Sequence, residues 1–272
     1  MRLIQGIQGA AMVTMALNML ALWQQEARDP SRTRHDAPRP AFRDSWRAFT
    51  RDNRSVRFLV AVGLGTAAFS MQDVLLEPYG GQVMHLSVGA TSALTALSAG
   101  GALLAFMLAS RVLYHGGDPY RLAAMGALVG VFAFAAVIFA NPLGMPFLFQ
   151  AGTLLIGFGG GMFAVGTLTA AMGLENHGFS GLALGAWGAV QASAGGLAIA
   201  LGGALNDVIA GFAAQGRLGP VLTGPAIGYS VVYHLEIVLL FGTLVAIGPL
   251  VRSVRAAPSP SSSGFGLAEF PG

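Results

Sequence analysis

The chain has 272 residues, of which 54% are apolar or aromatic and only 10% are charged. A water-soluble protein carries about 25% charged residues, so we expect most of this chain to lie in lipid. Its net charge is +3 and it contains no cysteine, which excludes disulfide scaffolds, thiolate metal sites and cysteine nucleophiles.

The first predicted membrane helix covers residues 3–23 and defines an N-terminal region, 1–24. A membrane helix needs about 20 mostly apolar residues, and this run supplies them. A cleaved signal peptide is the alternative, but Gln5, Gln8 and Asn18 are poor residues for a signal core. We therefore expect a permanent helix whose polar side packs on protein.

A basic linker, residues 25–57, follows this first helix. Within it, Phe42, Trp46 and Phe49 recur at helical spacing beside several arginines. This pattern predicts a short amphipathic helix that lies on the inner membrane surface. A plain solvated linker is the other interpretation of the same charge run.

Six further apolar runs predict a transmembrane bundle over residues 58–252. They are longer than the ten-residue alternating segments of a membrane β-barrel and are apolar on all sides. The predicted fold is therefore an all-α polytopic membrane bundle of about seven transmembrane helices. A tail at 253–272, rich in proline and serine, is expected to be disordered. The six runs cover residues 58–76, 90–113, 122–140, 146–172, 182–205 and 227–251.

The arginines predict the orientation of the chain in its membrane. All fifteen basic residues are arginine, and nine of them lie between residues 24 and 57. If this segment is cytoplasmic and the helices alternate sides, only Arg2 and Arg217 fall outside. We therefore expect the N-terminus outside and the C-terminus in the cytoplasm. Because the basic charge marks a membrane face, a nucleic-acid partner is not expected.

Glycines recur inside the predicted spans at positions that suit close helix packing. Gly157 and Gly161 form a G-x-x-x-G pair, and Gly195 and Gly196 are adjacent in a later span. Small residues allow two helix backbones to approach closely in lipid. We predict a packing role for all four glycines.

Polar and ionisable residues cluster at the end of the second span. Asp73 and Glu77 are four residues apart, so a continuous helix places them on one face. Gln72 precedes them, and Pro78 is expected to end the helix near the outer membrane boundary. One interpretation is a helix end wetted by lipid headgroups. The alternative is an acidic pair that gates, relays protons or contacts another part of the protein.

No pattern in the sequence predicts catalysis. A nucleophile elbow, a Walker loop, a dinucleotide fingerprint and paired histidines at metal-ligand spacing are all missing from it. We therefore expect a protein that is not an enzyme and that has no nucleotide or tightly bound metal.

Three segments resemble the PucC/LhaA family, the bacteriochlorophyll delivery branch of the major facilitator superfamily. The first is the charged run 72–81, in which Gln72, Asp73, Glu77 and Pro78 match the family signature. The glycine-rich run 157–168 and the run 181–191 are similar to the same family. Its members normally have twelve helices, so the resemblance implies the C-terminal half, with the last helix of an absent N-terminal half in front.

The resemblance implies a membrane assembly factor for bacterial light-harvesting complexes. Such a factor binds or delivers (bacterio)chlorophyll to antenna polypeptides and contacts reaction-centre subunits. It resides in the cytoplasmic or intracytoplasmic photosynthetic membrane, so its partners include the lipid bilayer and, for this chain, a missing N-terminal half. The alternatives are a small-molecule permease and an inactive fragment of one.

A (bacterio)chlorophyll or related tetrapyrrole is the expected cofactor or cargo. Its magnesium accepts one axial nitrogen or oxygen ligand from histidine, asparagine or glutamine. The candidate ligands in this sequence are His85, His177, Gln191 and His234. For His234, a hydrogen bond to a neighbouring helix is the competing interpretation.

Overall fold

A computed structural model describes residues 9, 12–20, 42–174, 180–219 and 221–256. The chain forms two compact units, Met1–Asp44 and Ser45–Gly272. In the first unit, residues 12–20 form a helix, α1, which lies inside the first predicted span. Most of the rest of that span, most of the basic linker, His177 and residues 257–272 of the C-terminal tail lie outside the described residues.

The elements from Phe42 onward are helices joined by short connections. Their order is α2 (Phe42–Arg51), α3 (Asn53–Ser70), a 3₁₀ segment (Met71–Val74), α4 (Leu76–Gln82), α5 (Val88–Tyr114), α6 (Pro119–Ala140), α7 (Pro146–Gly173), α8 (Ser180–Ala214) and α9 (Ala226–Ala256). Helix α2 occupies the segment where the sequence predicts an amphipathic helix, and its Phe49 is buried near Ala183 and Ala186.

Six helical segments in the described part of the chain are long and apolar enough to cross a membrane. Each coincides with one of the six predicted runs, which confirms an all-α polytopic membrane bundle. The segments are Asn53–Val74, Val88–Tyr114, Pro119–Ala140, Pro146–Gly173, Gly181–Ala214 and Ala226–Val251.

Helix α8 is longer than the sequence predicts. It continues to Ala214, past the predicted end at residue 205. Asn206 does not stop it, because this residue is buried where α8 crosses α9. A Cβ added to Gly228 of α9 would lie 2.6 Å from the Asn206 carbonyl oxygen. Helix α8 therefore continues beyond Asn206 because α9 covers this polar residue.

The bundle has a closely packed centre and more open sides. Helix α7 packs mainly against α6 and α5, while α9 packs against α3 and α6. Large side chains from several helices fill the main core, including Phe134, Phe149, Tyr233 and Leu240. Over half of the α7 span is buried, whereas most of the α5 and α8 spans are not. Helices α5 and α8 therefore present the widest surfaces to lipid or to other protein.

Helix α3 breaks before the proline that the sequence predicts as its end. Regular α-helix stops at Ser70, and Pro78 lies in the first turn of α4. The expectation that Pro78 ends the span is therefore wrong. A proline is tolerated in a first turn, where its missing N–H has no helical partner. Its ring clashes with the carbonyl four residues earlier, so the interruption falls upstream, at Met71–Val74.

Candidate functional site

Three of the four signature residues, Gln72, Asp73 and Glu77, line one cleft of about 390 Å³ between two parts of the bundle. One wall comes from the 3₁₀ segment and the start of α4, and the other from the first half of α5. The α3 break separates Asp73 from Glu77, so the two do not share one regular helix face as the sequence predicts. Both nevertheless line the cleft. Its lining residues are Gln72, Asp73, Leu76, Glu77, Thr95, Ser98, Ala99 and Ala102.

Hydrogen bonds hold the polar side chains of the cleft in place. The Gln72 amide nitrogen donates to an Asp73 carboxylate oxygen at 2.6 Å and to the Phe69 carbonyl at 3.2 Å. The Thr95 hydroxyl donates to a Glu77 carboxylate oxygen at 2.5 Å and so joins α5 to α4. Both acids are exposed, whereas Gln72 is buried. The cleft therefore presents two fixed carboxylates on a mostly apolar surface.

A second polar group lies behind the cleft, inside the bundle. Glu236 and Tyr233 of α9 are completely buried. Neither oxygen of the Glu236 carboxylate has a hydrogen-bond partner among the described residues, and the Tyr233 hydroxyl and the Gln72 amide oxygen have none either. The Glu236 carboxylate lies near the Gln72 backbone N–H, without hydrogen-bond geometry, and within electrostatic range of Asp73. Gln72 therefore separates an exposed acid pair from a buried, incompletely paired acid.

Tyr79 connects this buried group to the aromatic core. Its ring centroid lies 5.3 Å from those of Phe149 and Tyr229 and 5.5 Å from that of Tyr233. The Tyr229 hydroxyl donates to the Gln82 side-chain oxygen at 2.9 Å, which joins α9 to α4. Burial raises the pKa of the Tyr79 hydroxyl to about 12, so it stays protonated at physiological pH. Aromatic contacts thus fix α4 beyond the break.

The four glycines singled out in the sequence have different surroundings. A Cβ on Gly157 would overlap the Ser98 carbonyl oxygen of α5, and one on Gly161 would lie 2.9 Å from the Ala105 Cβ. A Cβ on Gly195 would make ordinary contact with Ser70 at 3.4 Å. A Cβ on Gly196 would meet no described atom within 4 Å, which contradicts its predicted packing role. Consecutive residues point about 100° apart on a helix, so only Gly195 faces α3.

The candidate pigment ligands are not brought together. His85 is exposed in the turn between α4 and α5 and has a φ of +53°. Gln191 is half-buried on α8, and His234 is exposed on α9. The Nδ1 atom of His234 lies 2.6 Å from the Ser230 carbonyl oxygen, one turn earlier on its own helix. The expected bond from His234 to a neighbouring helix is therefore replaced by a local one.

Sequence reasoning missed several residues of the site. Thr95 and Ser98 complete the cleft, but a threonine and a serine in an apolar helix carry no distinctive signal. The sequence also gives no signal for His115, which lies outside this cleft. It lies at the end of α5 beside a second cleft of about 470 Å³ that Arg111 lines, and its Nδ1 is 2.7 Å from the Arg111 carbonyl oxygen. Only the three-dimensional arrangement identifies these side chains.

Comparison with known proteins links the chain to a family. A family model described as PUCC protein matches residues 1–255. A Rhodobacter capsulatus protein described as "Uncharacterized protein in puhA-bchM intergenic region" is 50% identical, over 99% of this chain and 57% of its own length. Protein PucC of Cereibacter sphaeroides is 45% identical, over 94% of this chain and 55% of its own length.

A more distant relative, the "Bacteriochlorophyll synthase 44.5 kDa chain" of Rhodobacter capsulatus, is 28% identical over 73% of this chain and 48% of its own length. The chain thus spans about half the length of these curated relatives. No solved structure matches it.

Proposed function

The chain belongs to the PUCC protein family, and from this premise we propose that it assists the assembly of bacterial light-harvesting complexes. In this role it is not an enzyme. It binds or delivers (bacterio)chlorophyll to antenna polypeptides in the cytoplasmic or intracytoplasmic photosynthetic membrane, with its N-terminus outside and its C-terminus in the cytoplasm. The names of two relatives, which refer to bacteriochlorophyll synthase and to the puhA-bchM region, support a photosynthetic role.

The observation that carries this proposal is that three of the four signature residues line one cleft. Gln72 and Asp73 lie in the 3₁₀ segment and Glu77 lies in α4, yet all three line the same surface groove. Charged groups inside or beside a membrane span are costly and are usually retained for function. The Thr95 bond to Glu77 fixes one carboxylate, and the Gln72 bond to Asp73 fixes the other. The groove is therefore a preorganised acceptor surface.

The chemistry of the groove fits a helical polypeptide partner. Two carboxylates accept hydrogen bonds or pair with a cation, while Leu76, Ala99 and Ala102 offer apolar contact. An antenna helix with a basic or N–H-donating side chain near its end can pair with the carboxylates and also make the apolar contacts. Small residues on α5 allow such a helix to approach closely. When bound, chlorophyll supplies a magnesium with one axial position and a flat apolar macrocycle.

Two other functions remain as alternatives with distinct signatures. A proton-coupled permease is favoured by the buried Glu236, whose carboxylate oxygens have no hydrogen-bond partner in the described part of the chain. It requires substrate uptake that stops when Glu236, Asp73 or Glu77 is neutralised. An inactive fragment of such a permease is the second alternative. It requires that loss of the chain leaves antenna levels unchanged.

The test is antenna formation in a phototrophic bacterium that lacks its own copy of this protein. The double variant Asp73→Asn/Glu77→Gln removes both carboxylate charges from the groove and keeps the side-chain shapes. We expect near-infrared antenna absorbance to fall at least about tenfold, because a charged acceptor surface that the partner needs is lost. Asp207→Asn is the matched control, because Asp207 is an exposed acid on α8 outside the groove.

Equal membrane levels of the wild-type and variant proteins are required for the comparison. Normal antenna absorbance in the double variant would contradict the proposal. Normal absorbance combined with loss of substrate uptake would favour the permease instead.

A further inference from the structure

Helix α9 has two chemically different faces. Its inward face buries Tyr229, Tyr233, Glu236 and Leu240. On the other side, exposed residues recur at spacings of three and four and form a stripe along the helix. Glu236 and His234 lie about 200° apart around the axis, so only the histidine belongs to this stripe. The exposed stripe consists of Val231, His234, Val238, Phe241 and Val245.

The hydrogen bond of His234 fixes the tautomer of its neutral ring. Nδ1 lies 2.6 Å from the Ser230 carbonyl oxygen, and a carbonyl oxygen can only accept. Nδ1 therefore carries the hydrogen, and Nε2 keeps its lone pair. The Ser230 hydroxyl also lies 3.4 Å from Nδ1. Both contacts with Ser230 therefore involve Nδ1, and neither involves Nε2. A metal-binding histidine usually has this arrangement, in which one ring nitrogen donates to a carbonyl and the other coordinates.

The surroundings of His234 favour a ligand that is both metallic and apolar. His234 lies eight residues from the start of α9, or about 12 Å along the axis. It is inside a segment apolar enough to span the membrane, where a polar atom without a partner is costly. Val231 precedes it by one turn and Val238 follows it by one turn, and both are exposed. A flat apolar ring with a central metal matches this surface better than a hydrated ion.

We propose that Nε2 of His234 is the axial ligand of a magnesium tetrapyrrole whose macrocycle lies against the exposed stripe of α9. This inference rests on the proposed function, which supplies the class of ligand. It assigns one residue among the four candidates and one face of one helix. The histidine binds the magnesium, the Ser230 carbonyl orients the imidazole, and Val238 and Phe241 contact the ring.

His115 supplies a matched comparison. Its Nδ1 is held in the same way, 2.7 Å from the carbonyl oxygen of Arg111, also four residues earlier. However, His115 caps the end of α5 in a turn with Gly116, and the basic residue Arg111 lines the adjoining cleft. A neighbouring cation and a polar helix end disfavour an apolar magnesium complex. The two histidines therefore share a local bond and differ in their environment.

The remaining candidates lack this combination. His85 has an irregular backbone conformation and lies in a turn, so no preceding helical turn orients its ring. Gln191 carries an amide, and it is half-buried on α8. Neither is flanked by a stripe of exposed valine and phenylalanine side chains like that on α9.

The experiment measures pigment binding to the purified chain in lipid nanodiscs. Bacteriochlorophyll a is titrated into the wild type, His234→Leu and His115→Leu, and its near-infrared absorbance and circular dichroism report binding. We expect His234→Leu to lower the affinity about tenfold or more and His115→Leu to leave it unchanged. The metal-free pigment, bacteriopheophytin a, is expected to bind the wild type and His234→Leu alike.

Rescue separates loss of the ligand from damage to the fold. In His234→Gly, added imidazole is expected to restore bacteriochlorophyll binding and its circular dichroism signal. Unchanged binding by His234→Leu, or absence of rescue by imidazole, would overturn the assignment of His234. In that case antenna loss in Asp73→Asn/Glu77→Gln would still support the proposed function. A wild-type chain that binds no pigment would overturn both the assignment and the pigment-handling role.

Discussion

Two regions of this bundle are built on opposite principles. Where α6 and α7 cross, glycine backbones touch: a Cβ on Gly126 would lie 2.5 Å from the Gly159 carbonyl oxygen, and one on Gly159 would lie 2.7 Å from the Gly126 carbonyl oxygen. Around the α3 break, by contrast, buried polar atoms of Gln72, Tyr233 and Glu236 have no hydrogen-bond partner among the described residues. The α6–α7 crossing maximises backbone packing, whereas the region of the α3 break contains buried polar groups with incomplete hydrogen bonding.

The difference indicates which region maintains the fold and which region carries the function. Close packing without unpaired polar groups stabilises a membrane bundle, because dispersion contacts replace the missing hydrophobic drive. Buried polar atoms without partners lower stability and persist where function requires them. The glycine crossing therefore holds the bundle in shape, and the α3 break with its cleft provides the interaction surface. Enlarging a glycine of the crossing is expected to lower stability, whereas removing an unpaired polar group near the α3 break is expected to raise it.

The largest effect is expected at the glycine crossing. Gly126→Leu forces a side chain into the space between α6 and the backbone of Gly159 and Phe163. Overpacking of this kind costs about 3 kcal/mol, so we expect a clear fall in unfolding free energy and in membrane level. Thermal unfolding in detergent measures it. Gly196→Leu is the control, since a Cβ there meets no described atom within 4 Å. Equal stability of the two variants would show that the crossing is not tightly packed.

A smaller effect of opposite sign is expected in the polar region. Tyr233→Phe removes a buried hydroxyl without a partner, and we expect stability to rise by about 1 kcal/mol. Tyr229→Phe makes the same chemical change on the same helix but removes a hydrogen bond to Gln82. It is expected to lower stability by about 1 kcal/mol. Chemical unfolding of both variants checks the pair, and a loss in Tyr233→Phe would argue for a hydrogen-bonded hydroxyl.

The smallest effect is expected within the cleft itself. A double-mutant cycle on Glu77→Gln and Thr95→Val measures the bond between α4 and α5. Both residues are exposed, so we expect a coupling energy of only about 0.5 kcal/mol. The cycle of Glu77→Gln with Thr91→Val is expected to give none, because the Thr91 hydroxyl donates to the Val88 carbonyl of its own helix. Equal coupling in the two cycles would remove Thr95 as the partner of Glu77.

Much of the scaffold was predictable from the sequence, and much of the site was not. Apolar runs of about 20 residues determine where helices cross lipid, so all six described spans appear close to their predicted positions. The break at Met71–Val74 was placed too late, because Pro78 disrupts the helix before it and fits inside the next one. Asp73 and Glu77 were identified by their charge.

Contacts between distant residues were beyond the reach of the sequence. The Thr95 partner of Glu77 lies 18 residues away, and no local pattern indicates the register of α5 against α4. Adjacent glycines look equivalent in a sequence, yet a Cβ on Gly195 would contact Ser70, whereas one on Gly196 would meet no described atom within 4 Å. The tautomer of His234 likewise depends on a distance to a carbonyl oxygen. Composition can indicate a candidate residue, and geometry decides its role.

The central claim is that the cleft receives antenna polypeptides, and blocking it while keeping its charges tests this most directly. Ala99→Trp fills the cleft, whereas Ala93→Trp places the same bulk at an exposed α5 position outside its lining. The measurement is the amount of antenna polypeptide that co-purifies with an affinity-tagged chain from photosynthetic membranes. We expect Ala99→Trp to lose the antenna polypeptides and Ala93→Trp to retain them. Retention of antenna polypeptides by both variants at the wild-type level would contradict the claim.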